Sequence, residues 1–214
     1  MNATTIASPL AGFEGGVWTW LGGGDSETQE TLRADPMDGL RFEVSSGTLP
    51  AASALAKRRY QQRGLGTAGV GGTGDRLPSI TVLARQGAHL WATLRLGLDS
   101  IAGLQADAHY RREIDRLRGN SRRIAEVTRL AIDAPCPPGT MLMALFRQAL
   151  RQLRHQAPIT DLVIEVNPRH ARFYIQRFGF TQIGEERICS RVGAPAVLLH
   201  RSISSAELRE QLAA

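Results

Sequence analysis

The chain has 214 residues, 43% of them hydrophobic, which is enough to bury the core of one ordinary domain. It contains no apolar run of about 18 residues, and its start lacks the basic and apolar stretches of a signal peptide. The two cysteines, Cys136 and Cys189, fit neither a metal-binding spacing nor a disulfide scaffold. These features exclude a transmembrane or disulfide-rich protein, and we expect a cytoplasmic one.

The formal net charge of +6 and the sequence pI of about 10.3 favour acidic partners. Lys57 is the only lysine, so arginine supplies nearly all of the positive charge. Nucleic acid, an anionic membrane surface and an acidic carrier protein would all be attracted by such a balance. Because no nucleic-acid-binding motif accompanies the charge, we expect no nucleic-acid partner.

Residues 1–40 are rich in Gly, Thr, Ser and Ala and are predicted to form a flexible N-terminal arm. Residues 41–203 carry alternating strand and helix patterns and are predicted to form one domain, with 204–214 as a helical tail. The predicted strands are 41–45, 80–84, 90–98, 122–133, 162–166, 183–188 and 196–200. The predicted helices are 51–62, 107–118, 141–155, a short one between Pro168 and Gly179, and 204–212.

The loop at residues 64–78, here called the glycine loop, contains six glycines. Its Gly64-x-Gly66-x-x-Gly69 spacing matches a dinucleotide-binding fingerprint. That fingerprint needs a strand before it and a helix after it, whereas here a helix precedes and a proline ends the loop. We therefore interpret this segment as a flexible loop.

Glu126 is the first candidate for a catalytic residue, because it lies within the mostly apolar strand 122–133. A buried carboxylate must be paired or functional, since burying a lone charge is very costly. Arg129 would face the opposite side of a regular strand, and a bulge would bring both residues to one site. Arg95 is expected on the neighbouring strand, so an ion pair of Glu126 with Arg95 or Arg129 is the structural alternative. Regular alternation puts Ile124, Glu126, Thr128 and Leu130 on one face and Ala125, Val127, Arg129 and Ala131 on the other.

The stretch 161–180, DLVIEVNPRHARFYIQRFGF, combines a buried strand, a stop at Pro168 and a short helix that Gly179 caps. A strand, an Asn-Pro stop, a helix carrying Phe-Tyr and a final Gly-Phe resemble the last βα unit of the GNAT acyltransferase superfamily. The resemblance implies the GNAT acyl-CoA N-acyltransferase fold, which is an α+β fold with a mixed sheet. It also implies that an acyl group moves from a thioester to an amine.

Three residues of this stretch each have a functional and a structural interpretation. In the functional interpretation, Tyr174 lies beside the expected thioester channel, where a phenol with a pKa of about 10 can protonate a leaving thiolate. In the structural interpretation, it packs under the sheet. Asn167 can hydrogen-bond a pantetheine chain or form an Asx turn. His170 is expected at the surface near the start of the helix. The five histidines are scattered, so we expect no metal site.

Residues 51–201 resemble the FeeM-type N-acyl amino acid synthases, which are GNAT-fold relatives of the autoinducer (acyl-homoserine lactone) synthases. The segments that carry the resemblance are AKRRYQQRG (56–64), LWATLRLGLDS (90–100), REIDRLRGNSRRIAEVTRLAID (112–133), DLVIEVNPRHARFYIQRFGF (161–180) and GEERICSRVGAPAVLL (184–199). Glu126-Val127-Thr128-Arg129 matches the family's Glu-x-(Ser/Thr)-Arg strand, and Arg95 matches its strand arginine. The resemblance implies that Glu126 serves as the base for the amine, directly or through water. It also implies that Arg95 and Arg129 hold the polar network or the acceptor carboxylate.

The resemblance further implies a long-chain acyl-carrier protein as partner, and one absence agrees with this. Acetyl-CoA-using GNAT enzymes bind pyrophosphate on an (Arg/Gln)-x-x-Gly-x-(Gly/Ala) turn, whereas this chain reads APCPPGTML there. A carrier protein presents a single phosphate, which the amides of 140–142 could still bind. We expect acyl-phosphopantetheine or acyl-CoA as co-substrate and no permanently bound cofactor. We assign substrate or thioester binding to Thr128, Thr140, Asn167 and His170.

The expected function is an N-acyltransferase that moves a long-chain fatty acyl group from acyl-carrier protein to an amino acid amine. The alternatives are a CoA-dependent N-acetyltransferase and a non-catalytic GNAT-shaped module that binds the acyl carrier. The densest basic stretch is either a solvated face or a surface that steers an acidic partner. Its arginines are Arg111, Arg112, Arg116, Arg118, Arg122 and Arg123.

Overall fold

The computed structural model describes residues 13–14, 17–18, 39–70, 73–133, 138–156 and 159–203. The chain divides into two units, 1–35 and 36–214. In the first unit, β1 (Phe13–Glu14) pairs antiparallel with β2 (Val17–Trp18). The rest of the predicted arm and the predicted helix 204–212 lie outside the described residues.

The described strands of the second unit are β3 (Arg41–Ser46), β4 (Ser79–Gln86), β5 (His89–Leu98), β6 (Ile124–Ile132), β7 (Asp161–Val166), β8 (Thr181–Gln182), β9 (Arg187–Cys189) and β10 (Ala194–Ser202). Its described helices are α1 (Pro50–Gln61), α2 (Asp107–Arg118), α3 (Pro138–Gln156) and α4 (Pro168–Phe178). None of these helices is long and apolar enough to cross a membrane.

These eight strands form one mixed sheet in the order β3-β4-β5-β6-β7-β10-β8, with β9 paired to β10 beside that path. β6 and β7 run parallel, and the other neighbouring strands run antiparallel. A parallel pair needs a crossover, and α3 supplies it between β6 and β7. The predicted α+β fold with a mixed sheet is confirmed.

Helices cover both faces of the sheet. α3 and α4 pack on one face, where the rings of Phe146 and Phe178 lie 4.4 Å apart between centroids. α1 and α2 cover the other face in two smaller apolar clusters, one with Leu55 and Ala131 and one with Tyr110 and Val163. Because β7 is buried on both faces, its sequence is a nearly continuous apolar run.

The unit from β7 to α4 follows the prediction closely. The side chain of Asn167 caps α4 by accepting the N–H of Arg169 at 3.1 Å. Pro168 occupies the first helical position, where no N–H partner is needed. Gly179 ends the helix in the left-handed conformation, with φ 68°.

Two local predictions are wrong. The segment 183–188 is not one strand, because the N–H groups of Ile183 and Gly184 both donate to the carbonyl of Leu198 and so interrupt the ladder. α3 begins at Pro138, three residues before the predicted start at 141, so Thr140 lies inside its first turn. Proline is accepted at this helix start because the first-turn N–H groups have no partner within the helix.

The glycine loop packs against the turn between β9 and β10. The N–H of Gly66 donates to the carbonyl of Val192 at 2.8 Å, and that of Gly69 to Arg191 at 3.3 Å. A Cβ on Gly69 would lie 2.8 Å from the Cβ of Arg191, so glycine is needed for this approach. The loop follows α1 and contains a short 3-10 turn, Thr73–Arg76, so the context of a dinucleotide fingerprint is not met.

Candidate functional site

The candidate site lies where β6 and β7 separate. Their parallel pairing runs from Ile124 and Asp161 to Val127 and Ile164 and stops there. Beyond this point β6 pairs with β5, and β7 pairs with β10. The backbone edges that face this opening can donate to and accept from an extended substrate, as the edge of a sheet does.

A bulge in β6 lies at the edge of the opening. Arg129 has φ 50°, and the pairing with β5 shifts register so that Arg129 and Leu130 together oppose Leu94. A positive φ is uncommon for a residue other than glycine and often marks a functional site. The structure thus confirms a bulge, at Arg129 itself.

The bulge reverses the alternation of side chains in the second half of β6. Leu130 packs in the same cluster as Ala125 and Val127, under α3. Ala131 joins the cluster under α1. The faces predicted for a regular strand are therefore wrong beyond Thr128.

Glu126 is 1% exposed, and both of its oxygens have partners. Oε2 accepts the N–H groups of Gln105 at 2.7 Å and of Ala106 at 3.2 Å, just before α2. Oε1 lies 3.3 Å from Nη1 of Arg191. Burial raises the pKa of Glu126, and Arg191 and the two N–H groups act against that rise. Glu126 therefore ties β6 to the start of α2.

Arg191, in the turn between β9 and β10, joins two buried carboxylates. Nη1 faces Glu126 and also donates to Oε1 of Gln105 at 2.9 Å, while Nη2 pairs with Glu165. Glu165 is the first residue of β7 beyond the last pair with β6, and its side chain is 5% exposed. Sequence reasoning missed both residues. Glu165 carries the same signal as Glu126, a carboxylate inside an apolar strand, whereas the approach of Arg191 depends on its turn.

Arg95 and Arg129 are buried, and both hold the glycine loop. Nη2 of Arg95 donates to the carbonyl of Leu77 at 3.1 Å. Burial lowers the pKa of Arg95, and the nearby charge of Glu126 raises it. Nη2 of Arg129 pairs with Asp75 and donates to the carbonyl of Gly69 at 3.1 Å. The carboxylate that pairs with Arg129 is thus Asp75. Glu126 forms its ion pair with Arg191 and not, as predicted, with Arg129.

His109, in the first turn of α2, connects Glu165 to Ser190. Its Nδ1 lies 3.2 Å from Oε1 of Glu165, and its Nε2 lies 3.0 Å from Oγ of Ser190. The backbone N–H of Ser190 donates to Nε2 at 3.1 Å, so the ring proton lies on Nδ1 and faces Glu165. Burial, and then the charges of Arg191 and Arg187, lower the pKa of His109. The sequence showed this histidine only as one of several scattered ones.

His109, Glu165 and Cys189 form the one group of described residues that could hold a metal ion, with donor atoms within 4.8 Å of one another. The local charge opposes a cation, because Glu165 is already paired with Arg191, and Arg187 lies beside His109. Burial also raises the pKa of the Cys189 thiol, whereas a metal ligand must be a thiolate. The arrangement is better suited to hydrogen bonding than to metal binding.

Two tyrosines, one in α1 and one in α4, have raised pKa values. Burial raises the pKa of Tyr60, in α1, and the charges of Arg191, Arg129 and Arg63 lower it. Burial also raises the pKa of Tyr174, in α4, and Tyr60 raises it further.

Tyr174 packs in the core under the sheet, which is the structural role considered for it, and its place beside a thioester channel stays a prediction. Its ring is 8% exposed and packs with Phe146, Phe178 and Phe180 in the core under α3. The raised pKa keeps the phenol protonated at neutral pH.

The residues predicted to bind the thioester are spread around the opening. Asn167 is occupied by its capping bond and by donation from Nδ2 to the carbonyl of Pro195 at 3.3 Å, which is the structural role considered for it. His170 and Thr140 are exposed in the first turns of α4 and α3. Oγ1 of Thr128 lies 3.4 Å from the carbonyl oxygen of Arg95. Binding roles for these residues stay predictions.

α3 and α4 present an arginine face, defined here by Arg147, Arg151, Arg169, Arg172 and Arg177. The helices contain six arginines and no Asp or Glu. A groove of about 440 Å³ lies on this face, with an apolar floor that includes Phe146 and Phe178. Arg147, Arg177 and Arg201 line it.

The basic stretch 111–123 is largely neutralised by neighbouring carboxylates. Arg118 pairs with Asp99, Asp107 and Asp115 at 2.7–2.8 Å, and these bonds raise its pKa. Arg111 pairs with Asp115 as well. Arg118 therefore anchors α2 within the fold, and the net charge available to steer a partner is greater on the arginine face.

Comparisons with known proteins agree with this fold. The family model of the N-acyl amino acid synthase FeeM matches residues 51–202. The structure of FeeM, an N-acyl amino acid synthase from uncultured soil microbes, is similar with a TM-score of 0.68 and 28% identity, over 80% of this chain and 95% of FeeM. No curated protein sequence matches the chain at a significant level.

Two more distant structures show the fold. The AHL synthase LasI has a TM-score of 0.53 and 16% identity, over 81% of this chain and 95% of LasI. An acyl-CoA N-acyltransferase from Pseudomonas aeruginosa has a TM-score of 0.50 and 14% identity, over 76% of this chain and 99% of that one.

Proposed function

Because the chain belongs to the family of the N-acyl amino acid synthase FeeM, we propose that it moves a long-chain fatty acyl group from an acyl-carrier protein to the amine of an amino acid. Its family and its GNAT-fold neighbours identify it as an acyltransferase. The identity of the donor, the acyl chain and the acceptor is our proposal.

The observation that carries the proposal is the opening between β6 and β7. A phosphopantetheine arm is extended, and the separated strands offer it free backbone edges. α4 follows β7 directly and α3 follows β6, so the positive ends of both helix dipoles lie at the side where the strands separate. The single phosphate of the arm would bind there, near Thr140.

The residues at the opening can supply what acyl transfer to an amine needs. Arg129 and Arg191 already pair with Asp75 and with Glu126 and Glu165, and they place positive charge at the opening that can attract the carboxylate of an amino acid. The phenol of Tyr174 carries a proton that the leaving thiolate needs, but its raised pKa makes it a weaker acid than free tyrosine, so its role as the acid stays a prediction. Glu126, with Arg95 beside it, holds the buried polar network, and its role as the base stays a prediction.

The arginine face supports a carrier protein as the donor. Two helices with six arginines and no acidic residue attract an acidic partner, and they begin beside the opening that would receive its arm. A small CoA molecule would not need so wide a charged surface. The groove at Arg147 and Arg177 is the part of this face that combines charge with apolar contact.

Charge reversal on the arginine face is expected to weaken the use of carrier protein. For the double variant R147E/R177E we expect KM for acyl-carrier protein to rise about tenfold or more at low salt, and less at high salt, because the attraction is electrostatic. KM for the same acyl group on CoA should change little. Initial rates at several salt concentrations measure both.

A matched charge reversal on α2 separates the two basic surfaces. Arg112 and Arg116 are exposed, and R112E/R116E changes the net charge by the same amount. If this variant loses carrier use and R147E/R177E does not, the carrier docks on α2 and the arginine face is not the docking surface.

The proposed function is tested by supplying the same acyl group on carrier protein and on CoA, with a mixture of amino acids. Mass spectrometry should detect N-acyl amino acids with the carrier thioester and name the acceptor. If products form only from acyl-CoA, the acyl donor is CoA and not the carrier protein. A folded protein that forms no N-acyl amino acid from either donor would overturn the proposal.

A further inference from the structure

We propose that His109, oriented by Glu165 and Ser190, is the base that takes the proton from the acceptor amine. The inference rests on the proposed N-acyl transfer and adds a catalytic residue that no motif in the sequence indicated. Glu126 then becomes a positioning residue that holds His109 in place.

The geometry favours His109 over Glu126 as the proton acceptor. Nε2 of His109 carries no proton, and its lone pair accepts the backbone N–H of Ser190 at 3.1 Å, a bond that the substrate ammonium replaces in the proposed step. Nδ1 faces the carboxylate of Glu165. This order of carboxylate, imidazole and hydroxyl is the one by which a carboxylate fixes a histidine as a general base. The His109 side chain is 12% exposed, so a substrate or a water molecule can reach it. Glu126 is 1% exposed, so a substrate reaches it less readily than His109.

The location also fits an acceptor site. Glu165 is the first residue of β7 beyond the pairing with β6, so the His109–Glu165 pair lies beside the opening. Arg191 contacts Glu165 from the turn after β9 and can attract the carboxylate of an amino acid whose amine points toward His109.

Charged and titratable groups surround His109 on every side. They are Glu165 on β7, Arg187 and Cys189 on β9, Ser190 and Arg191 in the turn after it, and Glu113 on α2. The two arginines disfavour the imidazolium, and Glu165 favours it once it forms. The result is a ring that is neutral at neutral pH and still able to accept a proton.

The proposed step balances in atoms and charge. The substrate ammonium gives one proton to Nε2 of His109, and the freed electron pair of nitrogen forms the bond to the thioester carbon. The C–S bond then breaks, and its electron pair leaves on sulfur. The second nitrogen proton is lost, and the thiolate takes up a proton, so that the products are an amide, a thiol and one proton released to water.

Glu126 acts on both ends of the His109–Glu165 pair. Its Oε2 binds the N–H groups of Gln105 and Ala106, which lead directly into the turn that carries His109. Its Oε1 faces Arg191, which pairs with Glu165. Loss of Glu126 would therefore displace the base even if Glu126 never accepts a proton.

The test is the pH dependence of His109→Gln with carrier-bound acyl donor and the identified amino acid. Glutamine fills the site but cannot take a proton, so we expect kcat/KM for the amino acid to fall about 100-fold at pH 7. The wild-type rate should be flat from pH 7 to 9 and fall on acidification as His109 becomes protonated. The H109Q rate should rise about tenfold per pH unit over the same range, since only amine that has already lost its proton reacts. KM for the donor should not change.

His200→Gln is the matched control. His200 also pairs with a buried carboxylate, with Nε2 2.6 Å from Oδ1 of Asp161, but away from the opening. Its variant should keep the flat profile and the wild-type rate per folded molecule.

Three outcomes overturn the inference. One is an H109Q variant with the wild-type rate, and another is a loss of rate that is equal at all pH values, which indicates a structural role. The third is an H200Q variant with the same altered profile.

If the wild type forms no N-acyl product from any donor, the proposed function fails and the base fails with it. An active wild type beside an H109Q variant of unchanged profile refutes the base alone.

Discussion

Replacing Arg191 with methionine is expected to destabilise the protein by about 3–5 kcal/mol at neutral pH, because it leaves two buried carboxylates without their shared cation. Glu126 is 1% exposed and the Glu165 side chain is 5% exposed, so water cannot replace the guanidinium. Methionine retains much of the side-chain volume, which limits the contribution of a cavity. Urea unfolding of R191M and wild type measures the difference.

This loss of stability should shrink as the pH falls. Burial already raises the pKa of Glu126, and removal of Arg191 raises it further. A carboxyl whose pKa is higher in the folded than in the unfolded protein destabilises the fold when ionised, and the penalty disappears as the pH falls through the folded pKa. Unfolding at pH 5 and pH 7.5 should therefore show a smaller difference between R191M and wild type at pH 5.

Two further variants make this test specific. In R191M/E126Q one of the two unpaired charges is gone, so the double variant should be more stable than R191M. R187M removes an arginine that is 38% exposed, pairs with Glu113, donates to the carbonyl of His109 and lies over the ring of Tyr110, so it should cost about 1–2 kcal/mol. Equal losses for R187M and R191M, or an R191M protein as stable as wild type, would contradict the expectation.

Glu126→Gln is expected to lower kcat/KM for N-acyl transfer about 100-fold while the domain stays folded. The glutamine carbonyl can still accept the N–H groups of Gln105 and Ala106, so the start of α2 keeps its bonds. The charge that faces Arg191 is lost, and a displacement of about 1 Å in a catalytic group can cost about 100-fold in rate. Steady-state kinetics and a melting curve on the same preparation measure both quantities.

Asp161→Asn is the matched change of a buried carboxylate outside the site. Asp161 is 1% exposed and binds Arg122 and His200 at the start of β7. We expect D161N to lose stability but to keep its activity per folded molecule. A sharply lower melting temperature for E126Q, with unchanged activity per folded molecule, would make Glu126 a purely structural residue.

The elements of the fold could be predicted from sequence because each has a local cause. The alternation in β6, the apolar stripe of α3 and the Asn-Pro start and glycine end of α4 depend on neighbouring residues alone. The family resemblance rests on the same segments. Where the local signal was weak, as in 183–188, the prediction failed. The strand is interrupted there because two successive N–H groups donate to the same carbonyl, that of Leu198.

Within the site, sequence could identify residues but not their partners. Glu126 stood out because a carboxylate inside an apolar strand has to be accounted for. Its actual partner, Arg191, lies 65 positions along the chain. His109 is 56 positions from Glu165 and 81 from Ser190, and nothing local in the sequence distinguishes it from the other histidines.

What the sequence by itself determined was the order of elements, the buried carboxylate of β6 and the membership of an acyltransferase family. The tertiary structure alone decided that β6 and β7 separate, that the turn after β9 brings Arg191 between two carboxylates, and that His109 faces Glu165. The physical reason is that periodicity and caps act over a few residues. Ion pairs and hydrogen bonds between distant residues exist only once the strand order and the turns have brought them together.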